Sequence, residues 1–195
     1  MAAPASSEPP SGGRVSRAFL AALLAFALLV ALVGPLAAST MRSARAQAPQ
    51  GQDVTYITRC TNITKPGYYV LSSNISGTQA TRYCIGVFAS DVVIYGSGHR
   101  LRGPRNHEGV GIYVAPGSTN VTIEDVVVTS YYGGIFVNSS GVRVVDSIVG
   151  NNWGDGVYVY GDNDTVVDSN VSYNGGLGVY VGGNSDSVVD STVSG

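Results

Sequence analysis

The chain has 195 residues, 12% of them charged and 44% apolar, with a formal net charge of −2 and 26 glycines that follow no three-residue period. That length suits one ordinary domain, and the composition excludes a disordered acidic tail, a coiled coil and a collagen. Four of the eleven basic residues and one of the thirteen acidic ones precede residue 49, which leaves seven against twelve. Such a remainder repels phosphate backbones, and no nucleic-acid partner is expected.

Residues 1–48 read as an address. Arg14 and Arg17 precede an uncharged run from Ala18 to Met41, rich in Leu, Ala and Val, which Arg42 and Arg45 close. About 20 apolar residues can span a bilayer as a helix, whereas the apolar core of a cleaved leader is about 7–15 residues. Two readings stand: a signal peptide cut near Ala46 or Ala48, after small-x-small sites, or an uncleaved anchor over 18–41. Either places the remainder outside the cytoplasm, secreted or at the cell surface, with the N-terminal segment as its only membrane contact.

Two features agree with export. Cys60 and Cys84 are the only cysteines, an even count. A bridge between them would close a loop of about 25 residues, worth roughly 3 kcal/mol in the chain-entropy model; two buried free thiols are the alternative. Asn-x-Ser/Thr sequons stand at Asn62, Asn74, Asn120, Asn138, Asn163 and Asn170, which suggests a glycosylated surface protein. Turn asparagines followed by strand threonines account for part of that signal.

Residues 49–83 read as an N-terminal capping segment and 84–195 as repeats. Segments opening on a Gly-Ile or Gly-Val step recur as GIYVAPGSTNVTIEDVVV, GIFVNSSGVRVVDSIV, GVYVYGDNDTVVDSNV and GVYVGGNSDSVVDSTV. Ile112, Ile135, Val157 and Val179 stand 23, 22 and 22 apart, and Ile123, Val144, Val166 and Val188 stand 21, 22 and 22 apart. Such a period signals a repeat architecture. Within each copy apolar residues alternate, which argues strand, and no 3.6-residue apolar face appears after residue 49. Short strands, a 22-residue coil and no helices predict an all-β fold, a right-handed parallel β-helix of about four to five coils preceded by the hydrophobic N-terminal helix. Stacked columns form its core: Ile112/Ile135/Val157/Val179, Val114/Val137/Val159/Val181 and Val128/Val149/Val171/Val193.

The run CTNITKPGYYVLSSNISG, then CIGVFASDVVIYGSGHRLRG, then GIYV and NVTIEDVVV, resembles the parallel β-helix repeat family of exported proteins, in the superfamily that includes pectate lyases and the periplasmic accessory protein of nitrous oxide reductase maturation. The likeness covers about 56–195. It implies fold and export, with Cys60–Ile94 as a cap over the first coil, tied down by a disulfide. This chain carries Tyr95 where family members often carry Asp, so no activity follows from it.

Three constellations could carry chemistry. Asp125, Asp146, Asp168 and Asp190 recur at 21, 22 and 22, so they should stack about 4.8 Å apart. They read either as a turn ladder accepting local N–H bonds or as weak Ca²⁺ ligands, with Asp162, Asp164 and Asp186 on the same flank; no other cofactor is expected. Tyr113, Phe136, Tyr158 and Tyr180 form an outward column that either stacks on itself or contacts a polysaccharide or an envelope protein. Tyr131, Tyr132, Trp153 and Tyr173, in the loops before the Gly steps, would extend that surface. His99, Arg100, Arg102, Arg105 and His107 form the only basic cluster, distant in sequence from the aspartates. Two His, two Met and two Cys leave no convincing copper site. The expectation is therefore a non-catalytic extracytoplasmic module of the cell envelope, binding or structural. The alternatives are a polysaccharide lyase or hydrolase, or its inactive remnant, and a surface fibre that associates end to end.

Overall fold

The computed structural model describes residues 53–77, 82–104, 106 and 108–195. Residues 1–48, read above as a signal peptide or an uncleaved anchor over 18–41, lie outside them, as do Arg105 and His107. Among the described residues no helix is long and apolar enough to cross a membrane.

After β1 (Val54–Ile57) the chain winds through right-handed coils of three strands each. The first holds β2 (Thr61–Ile63), β3 (Gly67–Leu71) and β4 (Ile75–Ser76), and the second β5 (Tyr83–Val87), β6 (Val92–Tyr95) and β7 (Arg100–Arg102). The third holds β8 (Val110–Val114), β9 (Val121–Glu124) and β10 (Val127–Thr129), and the fourth β11 (Gly133–Val137), β12 (Val142–Val145) and β13 (Ile148–Gly150). The fifth holds β14 (Val157–Tyr160), β15 (Thr165–Val167) and β16 (Asn170–Ser172), and the sixth β17 (Val179–Gly182), β18 (Ser187–Val189) and β19 (Thr192–Ser194). Each strand pairs in parallel with its counterpart one coil along. Sheet B is thus β2-β5-β8-β11-β14-β17, sheet A is β1-β3-β6-β9-β12-β15-β18, and sheet C is β4-β7-β10-β13-β16-β19.

Alternation along each short strand sends one β-branched face inward, and the register puts like on like. Ile85, Ile112, Ile135, Val157 and Val179 are successive partners in sheet B. Ile94, Ile123, Val144, Val166 and Val188 are successive partners in sheet A, and Leu101, Val128, Val149, Val171 and Val193 in sheet C. From the second coil to the fifth these side chains are essentially inaccessible; in the sixth, Val188 and Val193 are exposed.

The 22-residue repeat is thus a wound sheet, but it has six coils rather than four to five. The segment read as a cap holds a coil of the same three-strand plan. Successive partners Ile63, Val87, Val114 and Val137 stand 24, 27 and 23 residues apart. The early coils carry extra residues at their corners, and the period is lost there. Cys60 and Cys84 are bonded, with their Cα atoms 4.4 Å apart, and the bridge ties the start of the first coil to the second.

Candidate functional site

From the third coil to the fifth the chain turns three short corners per coil, and left-handed backbone marks all three. From sheet B to A the positions are Asp91, Asn120, Gly141, Asn163 and Ser185. From A to C they are Asp125, Asp146, Asp168 and Asp190, and from C to B they are Ser130, Asn151 and Tyr173. Asp and Asn tolerate this conformation better than most residues with a Cβ. The aspartate column expected at 125, 146, 168 and 190 is therefore the A-to-C corner, with φ between 47 and 51°. The amides of Asp125, Asp146 and Asp168 donate to the Val145, Val167 and Val189 carbonyls of the following coil at 3.2 Å. Among the described residues no group of three or more His, Cys, Asp or Glu side chains is gathered as a metal site.

Inside the corners run polar ladders that the sequence did not announce. Ser147 Oγ accepts from the Val126 amide at 3.3 Å and donates to the Val145 carbonyl at 2.8 Å; Ser169 and Ser191 continue the column. Asn152 and Asn174 line the C-to-B corner, and Asp164 and Asp186 the B-to-A corner. Ser147, Asn152 and Asp164 are nearly inaccessible. Each offers an acceptor to a backbone N–H that the tight turn removes from the sheet ladder. The signal was the same 22-residue spacing, but Ser, Asn and Asp between strands read as solvated loop.

On the outer face of sheet B the expected aromatic column is in register: Tyr113, Phe136, Tyr158 and Tyr180 are successive partners. Ring centroids lie 6.1, 4.6 and 4.5 Å apart along it, and the last two pairs are within 10° of parallel. Tyr83 extends the column, stacked 5.3 Å from Tyr113. It does so over Gly86, where a Cβ would run into the Tyr83 ring. The Phe136 and Tyr158 ring faces are thus covered by one another, and the column presents edges and hydroxyls outward. The Tyr158 phenol is held above its ordinary value by desolvation first, then by Tyr180, Tyr160 and Asp155.

Ring faces are more accessible along the adjoining C-to-B corner. Tyr132, Trp153 and Tyr173 are 65, 64 and 70% exposed, and Tyr160 at the end of β14 is 58% exposed. Tyr132 and Trp153 line a shallow groove of about 320 Å³ with Asn106, Glu108, Gly109 and Val110. Tyr131 departs from the expectation that it would extend this surface. It is 2% exposed, packs into the core, and burial pushes its phenol above the ordinary tyrosine range.

The basic residues fall elsewhere. Arg100 and Arg102 point outward from β7 on sheet C with Leu101 buried between them. The Gly98 amide donates to the Asp125 carbonyl at 2.9 Å, so this segment leaves the A-to-C corner one coil before Asp125. Winding brings together what the sequence holds apart. Asn62 points outward from the middle of β2 and the other sequons lie at corners and strand ends: Asn62, Asn74, Asn120, Asn163 and Asn170 are exposed, and Asn138 is half-buried. Asn74 Oδ1 accepts from the Arg100 amide at 2.8 Å, and Asn120 Nδ2 donates to Asp91 Oδ1 at 2.7 Å.

No curated protein and no solved structure matches the chain. A family model described as the right handed beta helix region matches residues 73–194, which is most of the wound sheet, and the chain belongs to that family.

Proposed function

We propose that the protein is a non-catalytic binding module of the cell envelope whose ligand is a polysaccharide, held by the aromatic residues of the C-to-B corner. The carrying observation is the row of accessible rings, Tyr132, Trp153 and Tyr173, beside a face that shows tyrosine hydroxyls. Aromatic planes offer rigid apolar area to the C–H face of a sugar, and hydroxyls supply the polar contacts. The self-stacked column of Phe136, Tyr158 and Tyr180 is assigned a supporting role, since its ring faces are already used. The disulfide supports a place in an oxidising compartment outside the cytoplasm, and the accessible sequons agree with it. Retention of the protein on a panel of immobilised polysaccharides tests this reading. Trp153→Ala with Tyr132→Ala should abolish retention while thermal unfolding stays unchanged; undiminished retention would remove the corner from the site.

The approach of the Arg100 segment to Asp125 favours a second reading, a polysaccharide lyase using a carboxylate-bound Ca²⁺ and an Arg base. It requires unsaturated products absorbing in the ultraviolet from polygalacturonate with Ca²⁺, and silence there rejects it.

A further inference from the structure

The side-chain amides of the ladder at the C-to-B corner are all paired, although Tyr131, whose amide feeds it, has a buried hydroxyl without a partner. Asn152 Oδ1 accepts from the Tyr131 amide at 3.0 Å, and its Nδ2 donates to Asn174 Oδ1 at 3.0 Å. Asn174 Nδ2 in turn donates to the Val149 carbonyl at 3.0 Å. The B-to-A corner uses the same plan with carboxylates. Asp164 Oδ1 accepts from the Val142 amide at 2.7 Å, and Asp186 Oδ1 accepts from the Asp164 amide at 2.8 Å. The second oxygens have no counterpart: Asp164 Oδ2 and Asp186 Oδ2 are buried without a hydrogen-bond partner, as is Ser139 Oγ in the fourth coil.

The surroundings explain the difference. Gly161 stacks directly on Ser139, and a Cβ there would touch both the Ser139 carbonyl and Asp164 Oδ2. Asp164 Oδ2 and the Ser139 carbonyl oxygen thus border the same small space over Gly161, where an amide could donate and a carboxylate cannot. A carboxylic acid can.

We infer that Asp164 is a proton-dependent clasp between the fourth and fifth coils, completing the ladder when it carries a proton and loosening it when ionised. Asp164 is 2% exposed. The fourth coil meets it with the neutral Ser139 and Val142, its own turn adds Asp162, and the sixth coil adds Asp186; Arg143, next to Val142, is exposed on the outer face. Burial pushes the Asp164 carboxyl up to about 6, the Val142 N–H bond pulls the other way, and Asp186 and Asp162 add to the rise. A carboxyl raised on folding contributes stability that is complete below its unfolded value of 3.8 and lost as the pH climbs through about 6.

Thermal unfolding of the full chain between about pH 5 and 7 tests this, in a parent carrying His99→Gln and His107→Gln and in the same parent with Asp164→Asn. The parent should lose several degrees of Tm across the window. Asp164→Asn, which supplies the donor permanently, should be flat and melt above the parent at pH 7. Equal slopes in the two proteins would overturn the clasp. If the Asn variant does not fold, the carboxyl ¹³C titration of Asp164 in the wild-type protein decides: a midpoint near 6 supports the clasp, and one below about 4.5 overturns it.

Discussion

A corner that turns within one or two residues needs a backbone conformation that most side chains resist. Asp125, Asp146, Asp168 and Asp190 supply it with φ near +50°. What these positions require is tolerance of left-handed backbone, costing about 1–2 kcal/mol for an ordinary residue with a Cβ, rather than charge. Asp146→Asn should therefore leave the denaturation midpoint nearly unchanged, while Asp146→Val should lose about 1–2 kcal/mol. Adding Ca²⁺ to each variant separates the turn from an ion site. A calcium-induced rise in wild-type Tm that vanishes in Asp146→Asn would make the carboxylates ligands. Equal Tm with Ca²⁺ and with EDTA leaves them as turn formers.

Among the elements, the three polar ladders decide how well the coils are joined, because sheet packing alone leaves the corner amides uncovered. Asn152 is 3% exposed and its side chain bonds to Tyr131, Asn174 and Val128, so Asn152→Asp is the converse of the Asp164 substitution. It keeps the Oδ1 acceptor and removes the donor. The variant should lose about 1–3 kcal/mol at pH 7 and recover much of it toward pH 5, where the new carboxyl is protonated; a loss independent of pH would show that shape, not the donor, matters there. These ladders also show where the sequence was readable. The strands of the third to sixth coils were legible because Ile and Val alternate at a constant period, and the aromatic column followed from the residue between two inward positions. The first coil was not and read as a cap, and the second was only a degenerate copy, since added corner residues stretch the spacing between Ile63, Val87 and Val114. Tyr131 and the ladder residues were misjudged for one physical reason: at a corner this tight, position along the turn decides burial, and a polar side chain can face the core if it feeds a backbone amide. Of the candidate site, the sequence placed the rings in line but could not tell that Phe136 and Tyr158 cover each other's faces.

At the scale of the whole molecule, a stack of coils is nearly one-dimensional, and each coil draws its stability from its own contacts and those with its two neighbours. The Cys60–Cys84 bridge acts on that chain of couplings at one place only, between the first and second coils. Reducing it restores loop entropy worth roughly 3 kcal/mol to the unfolded chain. The second coil stays paired with the third through β5 and β8, which share the Ile85–Ile112 and Val87–Val114 contacts. The loss should therefore appear as opening of the first coil rather than collapse of the stack. Hydrogen exchange after mild reduction should accelerate at the amides of β2, β3 and β4 and leave those of β11 to β16 protected. Acceleration of the same size in β11 to β16 would mean that the six coils unfold as one cooperative unit, with nearest-neighbour coupling strong enough to carry a local release from the first coil to the fifth.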